Sequence, residues 1–360
     1  MRRHSPFIPL CLLFLLSGAC GLTYQVLWLR LLALVFGVTV HAASTVLASF
    51  MAGLALGSVL AERLAKRGHA LKVFAALEAG IAVSALATPA LLGLATAVYR
   101  PLSAAFPDSL ALLTVARFVC SAAVLVVPTM LMGATLPVLS HAPIVRAAAA
   151  TRLAALYAVN TAGAMAGALL TGYVLIGGLG IQRTFLAAAA VNVLVAAGAW
   201  MLGRADAPAP ASASGEMSPS VTGPVTVTTY GGAVSATVLI WVMAASGFAA
   251  LALEIVWFRV LVQFLPATSY AFTTMLATVL GGIAIGSAAA SRSLARPHDW
   301  TAVLAYAQGA TSIVVMMSLA ALGATYAAGW STSGLVPGAA AAILPASVLM
   351  GYAFPVALAL

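Results

Sequence analysis

Apolar residues run along this chain in long blocks broken by glycine, proline or charge. About 20 such residues in a helix cross roughly 30 Å of hydrocarbon. The blocks at 7–33, 38–61, 71–99, 111–139, 153–176, 181–203, 237–262, 268–290, 301–328 and 335–360 therefore predict ten membrane-spanning helices. Residues 204–236 break the pattern. They are rich in Pro, Ala, Ser, Thr and Gly and cannot offset the entropy of ordering by burial, so they read as a flexible cytoplasmic linker. The opening MRRHSPFIPLCLLFLLSGAC has the basic flank and apolar run of a secretory signal, and Cys20 invites a lipoprotein reading. Against this, Ser17 stands where a lipobox needs a large aliphatic residue and the apolar run continues to Phe36, so the first block reads as a retained span.

Composition agrees with a lipid solvent. Of the 360 residues, 63% are hydrophobic and 6% charged, and the mean hydropathy is +1.12. A wetted surface needs about a quarter charged residues, so an all-soluble enzyme or a nucleic-acid binder is excluded. The net charge of +9 follows from topology. With loops assigned alternately, 11 of the 16 Lys and Arg fall on the N-terminal side, while Arg30, Arg100, Arg117, Arg183 and Arg259 fall on or toward the other. The positive-inside rule then makes the N-terminus cytoplasmic without any polyanionic partner. Cys11, Cys20 and Cys120 lie in apolar stretches with neither metal-ligand spacing nor a disulfide framework.

The chain is internally repeated. A shift of 229 residues aligns 17–63 with 246–292 without a gap and gives 17 identities in 47 positions, against about five by chance in this composition. LMGATLP at 131–137 and LMGYAFP at 349–355 match at a slightly smaller offset. Six helices separate the copies, so both enter the membrane from the same side. The expected fold is all-α and polytopic, with two parallel facilitator-like repeats of six helices and an incomplete four. Their bounds are 1–203 and 237–360, and the second copy reads as cut short after four helices.

Few polar groups remain to carry chemistry. Glu254, within LALEIVWFR, is a carboxylate in an apolar helix and aligns with Gln25 of the first copy. Such a group is costly unless paired or protonated. It suits a cationic substrate or a proton, or else an ion pair with Arg259 or a hydrogen bond to Gln25. Glu78 is a second intramembrane acid, for which a partnership with Lys72 or Arg152 competes with substrate binding. Asn160 can hydrogen-bond across helices, and Gly163 and Gly167 form a small-residue packing face. Glu62 and Arg63, in SVLAERLAKR, either bias which face of the protein is open or simply fix topology; SAAASRSLAR keeps Arg292 but has Ser291 in place of the acid. Arg30 and Arg259 read as snorkelling anchors, with Trp28 and Trp257 as interfacial aromatics. Gly177, Gly178 and Gly180 join two apolar helices without a preceding strand, so no nucleotide loop, catalytic set, metal site or cofactor is expected.

SVLAERLAKR resembles the loop signature of the major facilitator superfamily, with Ser58 and Ala65 where that pattern has glycine. SGACGLTYQVLWLRLLALVFG, ASTVLASFMAGLALGS, LYAVNTAGAMAGALLTGYVL and SGFAALALEIVWFRVL resemble the membrane portion of the fused facilitator/spermidine-synthase family. The resemblance implies a bacterial inner-membrane protein linked to polyamine synthesis. Its partner would be a soluble aminopropyltransferase domain acting on decarboxylated S-adenosylmethionine and putrescine. The 7 acids of this chain leave no room for that domain, so no catalytic residue carries over. The functions in view are the membrane part of a spermidine-synthase-like protein, a facilitator-type transporter of a cationic amine or other small solute, and a structural anchor for a separate synthase.

Overall fold

The computed structural model describes residues 6–36, 39–65, 69–106, 109–146, 149–205, 236–263, 265, 268–293, 299–328 and 332–358. Among these there is no strand. The helices are α1 (Phe7–Phe36), α2 (Thr39–Ala65), α3 (Ala70–Ala105), α4 (Leu110–Leu139), a single turn α5 (Pro143–Arg146), α6 (Ala149–Leu170), α7 (Ile176–Ala205), α8 (Ala236–Leu261), α9 (Thr268–Ser293), α10 (Trp300–Ala327) and α11 (Thr332–Leu358). The linker expected over 204–236 lies, apart from its ends, outside the described residues, as do Lys66 and Arg67.

Nine stretches among the described residues are long and apolar enough to cross a membrane. One of them, Arg152–Arg204, is 53 residues long and would extend about 80 Å if straight, more than twice the hydrocarbon thickness. It is bent back on itself. A π-helical turn, Thr171–Leu175, loosens the chain, and Gly180 then takes φ 77° and ψ 169°, outside any helix. Thr184 Oγ1 donates to the Leu175 carbonyl at 3.2 Å, although residues nine apart in a continuous helix stand about 13 Å apart. The sequence expectation of two helices joined through the glycines is met. Only glycine adopts the Gly180 conformation without strain, so Gly180→Ala should lower stability by about 1–3 kcal/mol, measured as a fall in the unfolding midpoint.

Side-chain contacts fix the helix directions. Along α1, Leu15, Ala19 and Thr23 meet Gly163, Gly167 and Thr171 in order, so α6 runs parallel to α1. Leu13, Cys20 and Tyr24 meet Gly198, Ala188 and Phe185 in turn, so α7 runs antiparallel to it. Farther along the chain, Met165 lies beside Gly281 and Gly172 beside Thr273, which makes α9 antiparallel to α6. A short connection and the edge-to-face pair Phe258–Phe272, 5.6 Å between centroids, fold α8 back on α9. Hence α8 runs in the same sense as α1.

Close approach of backbones decides where the helices cross. A Cβ added at Gly53 or Gly57 of α2 would strike Thr129 or the Met130 carbonyl of α4, and one at Gly133 would strike the Leu54 carbonyl. In α9 and α11, Gly282 abuts Ser347, Gly286 the Val348 carbonyl and Gly351 the Ile283 carbonyl. Small residues of this kind let helices gain dispersion contacts where lipid removes the hydrophobic drive for association. A single buried cluster, containing Trp28, Leu47, Phe185, Trp257, Phe272 and Ile343, runs from α1, α2 and α7 to α8, α9 and α11.

Candidate functional site

Two carboxylates are buried within the helices, and their surroundings differ. Glu78 lies on the buried face of α3 with Phe74, Leu77 and Ile81, and is fully inaccessible. Ser17 Oγ of α1 donates to its Oε1 at 2.5 Å, and Asn192 Nδ2 of α7 donates to its Oε2 at 2.5 Å. Tyr24 OH completes the chain by donating to Asn192 Oδ1 at 2.9 Å. Three helices are thus tied together through one carboxylate.

The expected basic partner of Glu78 is not there. Lys72 sits six residues earlier on α3, and its ammonium lies over the Trp200 ring, 5.8 Å from the centroid. Arg152 stacks over Phe7 and donates to the Ile144 carbonyl. Both cations belong to helix ends, where their charged heads reach polar surroundings, whereas Glu78 lies about two turns deeper.

Glu254 is 8% exposed, and its Oε2 is buried without a hydrogen-bond partner among the described residues. Neither pairing considered for it is formed. Arg259 is exposed at the end of α8, and Gln25, 1% exposed on α1, likewise leaves its Nε2 unpartnered. Among the described residues, no side chain hydrogen-bonds to Glu254 Oε2.

Trp28 and Trp257, expected as interfacial aromatics, pack between helices. Both are 0% exposed. Trp28 follows Tyr24 by one helical turn and stacks on it at 5.9 Å, on the face of α1 that meets α7. Trp257 Nε1 donates to Ser318 Oγ of α10 at 3.2 Å. Arg30 is half-buried. Asn160 turns its backbone carbonyl and Oδ1 toward Gly18, at the crossing that Gly163 and Gly167 continue, so it serves helix packing. Glu62 and Arg63 are exposed at the C-terminal end of α2, and Arg292 is exposed on α9, where it donates to the Ala288 carbonyl at 3.2 Å.

Sequence reasoning missed Ser17, Tyr24 and Asn192. Asn192 carried a signal, being one of only two asparagines in the chain and lying inside an apolar helix. It also missed a contact of the π-helical turn with α9, where Tyr173 stacks on Tyr270 at 4.8 Å and 7° and its hydroxyl meets Thr274 Oγ1 at 2.6 Å. An open groove of about 270 Å³ between α2 and α4 is lined by His41, Ser44, Thr45, Thr114, Val115 and Phe118, and includes neither buried acid.

Length, composition and helix packing together define an all-α, multi-pass membrane protein embedded in a lipid bilayer. No family model matches the chain, and no curated protein matches it.

Proposed function

We propose that the chain is the membrane module of a facilitator-type carrier whose halves, 1–203 and 237–360, are parallel repeats, and that Glu254 is the acid at which a cationic solute or a proton is held. The observation that carries this reading is the contrast between the two buried acids. Each Glu78 oxygen accepts from a neutral donor, whereas Glu254 keeps a buried Oε2 with no partner among the described residues. A carboxylate left so in hydrocarbon is costly, and a cation that visits it accounts for its presence.

Several observations support the repeat. α1 and α8 run in one direction, the glycine crossings of α2 with α4 and of α9 with α11 use equivalent positions, and the Ser17–Glu78 bond has a counterpart in Gln308 Nε2 donating to Ser246 Oγ at 3.0 Å. The basic excess favours a cytoplasmic N-terminus in a bacterial inner membrane. The resemblance to the fused spermidine-synthase family makes a polyamine the first solute to try, and a soluble aminopropyltransferase, attached or separate, the partner to seek.

The test is uptake of labelled putrescine or spermidine into proteoliposomes. Wild-type protein should accumulate label, and Glu254→Gln should cut the rate at least about tenfold, equivalent to roughly 1.4 kcal/mol of lost interaction. Equal flux through wild type and variant removes Glu254 from the path. No flux with either polyamine, together with recovery of a soluble synthase on purification, replaces carriage by anchoring.

A further inference from the structure

The start of α3 and the end of α7 meet at one end of the bundle, and there Lys72 and Arg204 gather positive charge that no carboxylate among the described residues meets. Lys72 Nζ lies 5.8 Å and Arg204 Cζ 5.9 Å from the centroid of the same indole, that of Trp200. Neither cation has a carboxylate within salt-bridge distance among the described residues. A ring face offers a cation about 0.5–1 kcal/mol at an exposed site, which does not replace a counter-ion for either charge. Gly203 packs against Leu71 and Lys72, which keeps the two helix ends in register.

What lies beside the cations narrows the counter-ion. Below them α7 turns an apolar lane outward: Met201 is 70% exposed, Leu194 67% and Leu186 54%. These residues recur every seven or eight positions, two helical turns, so they form one strip running away from the cation pair into the membrane. Behind the strip, Leu71, Phe74 and Ala199 belong to one buried apolar cluster. A site with two cations and an indole at its head and an apolar strip beneath has the chemistry of a phospholipid.

The geometry points to a binding site for an anionic phospholipid, its phosphate held by Lys72 and Arg204 beside Trp200 and an acyl chain lying along Met201, Leu194 and Leu186. Indole at headgroup level and basic side chains between helix ends are the usual elements of such recognition. A guanidinium offers a phosphate a forked contact and an ammonium a point contact, so both side chains suit that group. The site is independent of the Glu254 reading, because it uses neither the second half nor any transported solute.

The experiment uses the full chain in nanodiscs of equal parts phosphatidylglycerol and phosphatidylcholine, followed by extraction into mild detergent and native mass spectrometry of retained lipid. Wild-type protein is expected to retain phosphatidylglycerol over phosphatidylcholine. Lys72→Gln/Arg204→Gln should lose most of that preference, and so, more weakly, should the exposed single change Arg204→Gln, which guards against a folding defect in the pair. Arg100→Gln, at the opposite end of α3, should leave retention unchanged. Equal retention of phosphatidylglycerol by wild type and both Arg204 variants overturns the site. Loss of bound phosphatidylglycerol on adding millimolar inorganic phosphate, with the ion taking its place, overturns the lipid as occupant.

Discussion

Replacing Gly57 by leucine should abolish recovery of folded protein, and Gly286→Leu should do the same. Each glycine faces a backbone carbonyl of the crossing helix, Met130 in one case and Val348 in the other, and a Cβ alone already overlaps it. A side-chain clash can be relieved by a rotamer change, but a carbonyl moves only with its helix. The helices must then separate along the whole crossing, and the dispersion contacts made at Gly53 and Gly133, or at Gly282 and Gly351, are lost together. Overpacking ordinarily costs about 1–3 kcal/mol where side chains can adjust and more where backbone must shift, against a total stability of roughly 5–15 kcal/mol. The alanine series makes the effect measurable. Gly57→Ala and Gly286→Ala should each lower the thermal midpoint in detergent by similar amounts, because their surroundings match. Gly247→Ala and Gly309→Ala, with nothing within 4 Å of the new methyl group, should be neutral or gain up to about 1 kcal/mol of helix propensity. If all four alanine variants unfold alike, the crossings are not close-packed as described.

The helices were legible because their cause is local. Each depends on an apolar run long enough to cross lipid, and the sharp turn at Gly180 on a residue without a Cβ. Neighbours were less legible because they depend on which faces meet. Trp28 and Trp257 illustrate the ambiguity: an indole in an apolar helix suits the membrane interface as well as the space between helices, and only the packing of α1 on α7 and of α8 on α10 decides. Glu78 shows it again. Charge complementarity made Lys72 and Arg152 the natural partners, yet a partner must share the acid's depth. Ser17 and Asn192 do so while lying 61 and 114 residues away in sequence. By contrast, Gly163 and Gly167 announced their role, since small residues four apart have few uses in an apolar helix other than close approach.

Removing the Glu78 carboxylate should destabilise the first half more than any other single polar change within it. Glu78→Ala leaves the Ser17 hydroxyl and the Asn192 amide without acceptors inside hydrocarbon, at about 1–3 kcal/mol for each group left unsatisfied. Glu78→Gln is milder, because its carbonyl still accepts from one of the two donors while its own amide faces the other. The network also predicts non-additivity. Once Glu78 is alanine, Asn192→Ala should cost less than it does in the wild type, with a coupling of about 0.6 and up to roughly 1.7 kcal/mol, the range of membrane-interior hydrogen bonds. Unfolding midpoints of the two single variants and the double variant provide the cycle, and strict additivity would count against a shared carboxylate. Transport separates the two acids. If Glu78→Gln lowers the midpoint yet carries polyamine at the wild-type rate, while Glu254→Gln keeps the midpoint and loses the flux, then the satisfied acid belongs to the scaffold and the unsatisfied one to the path.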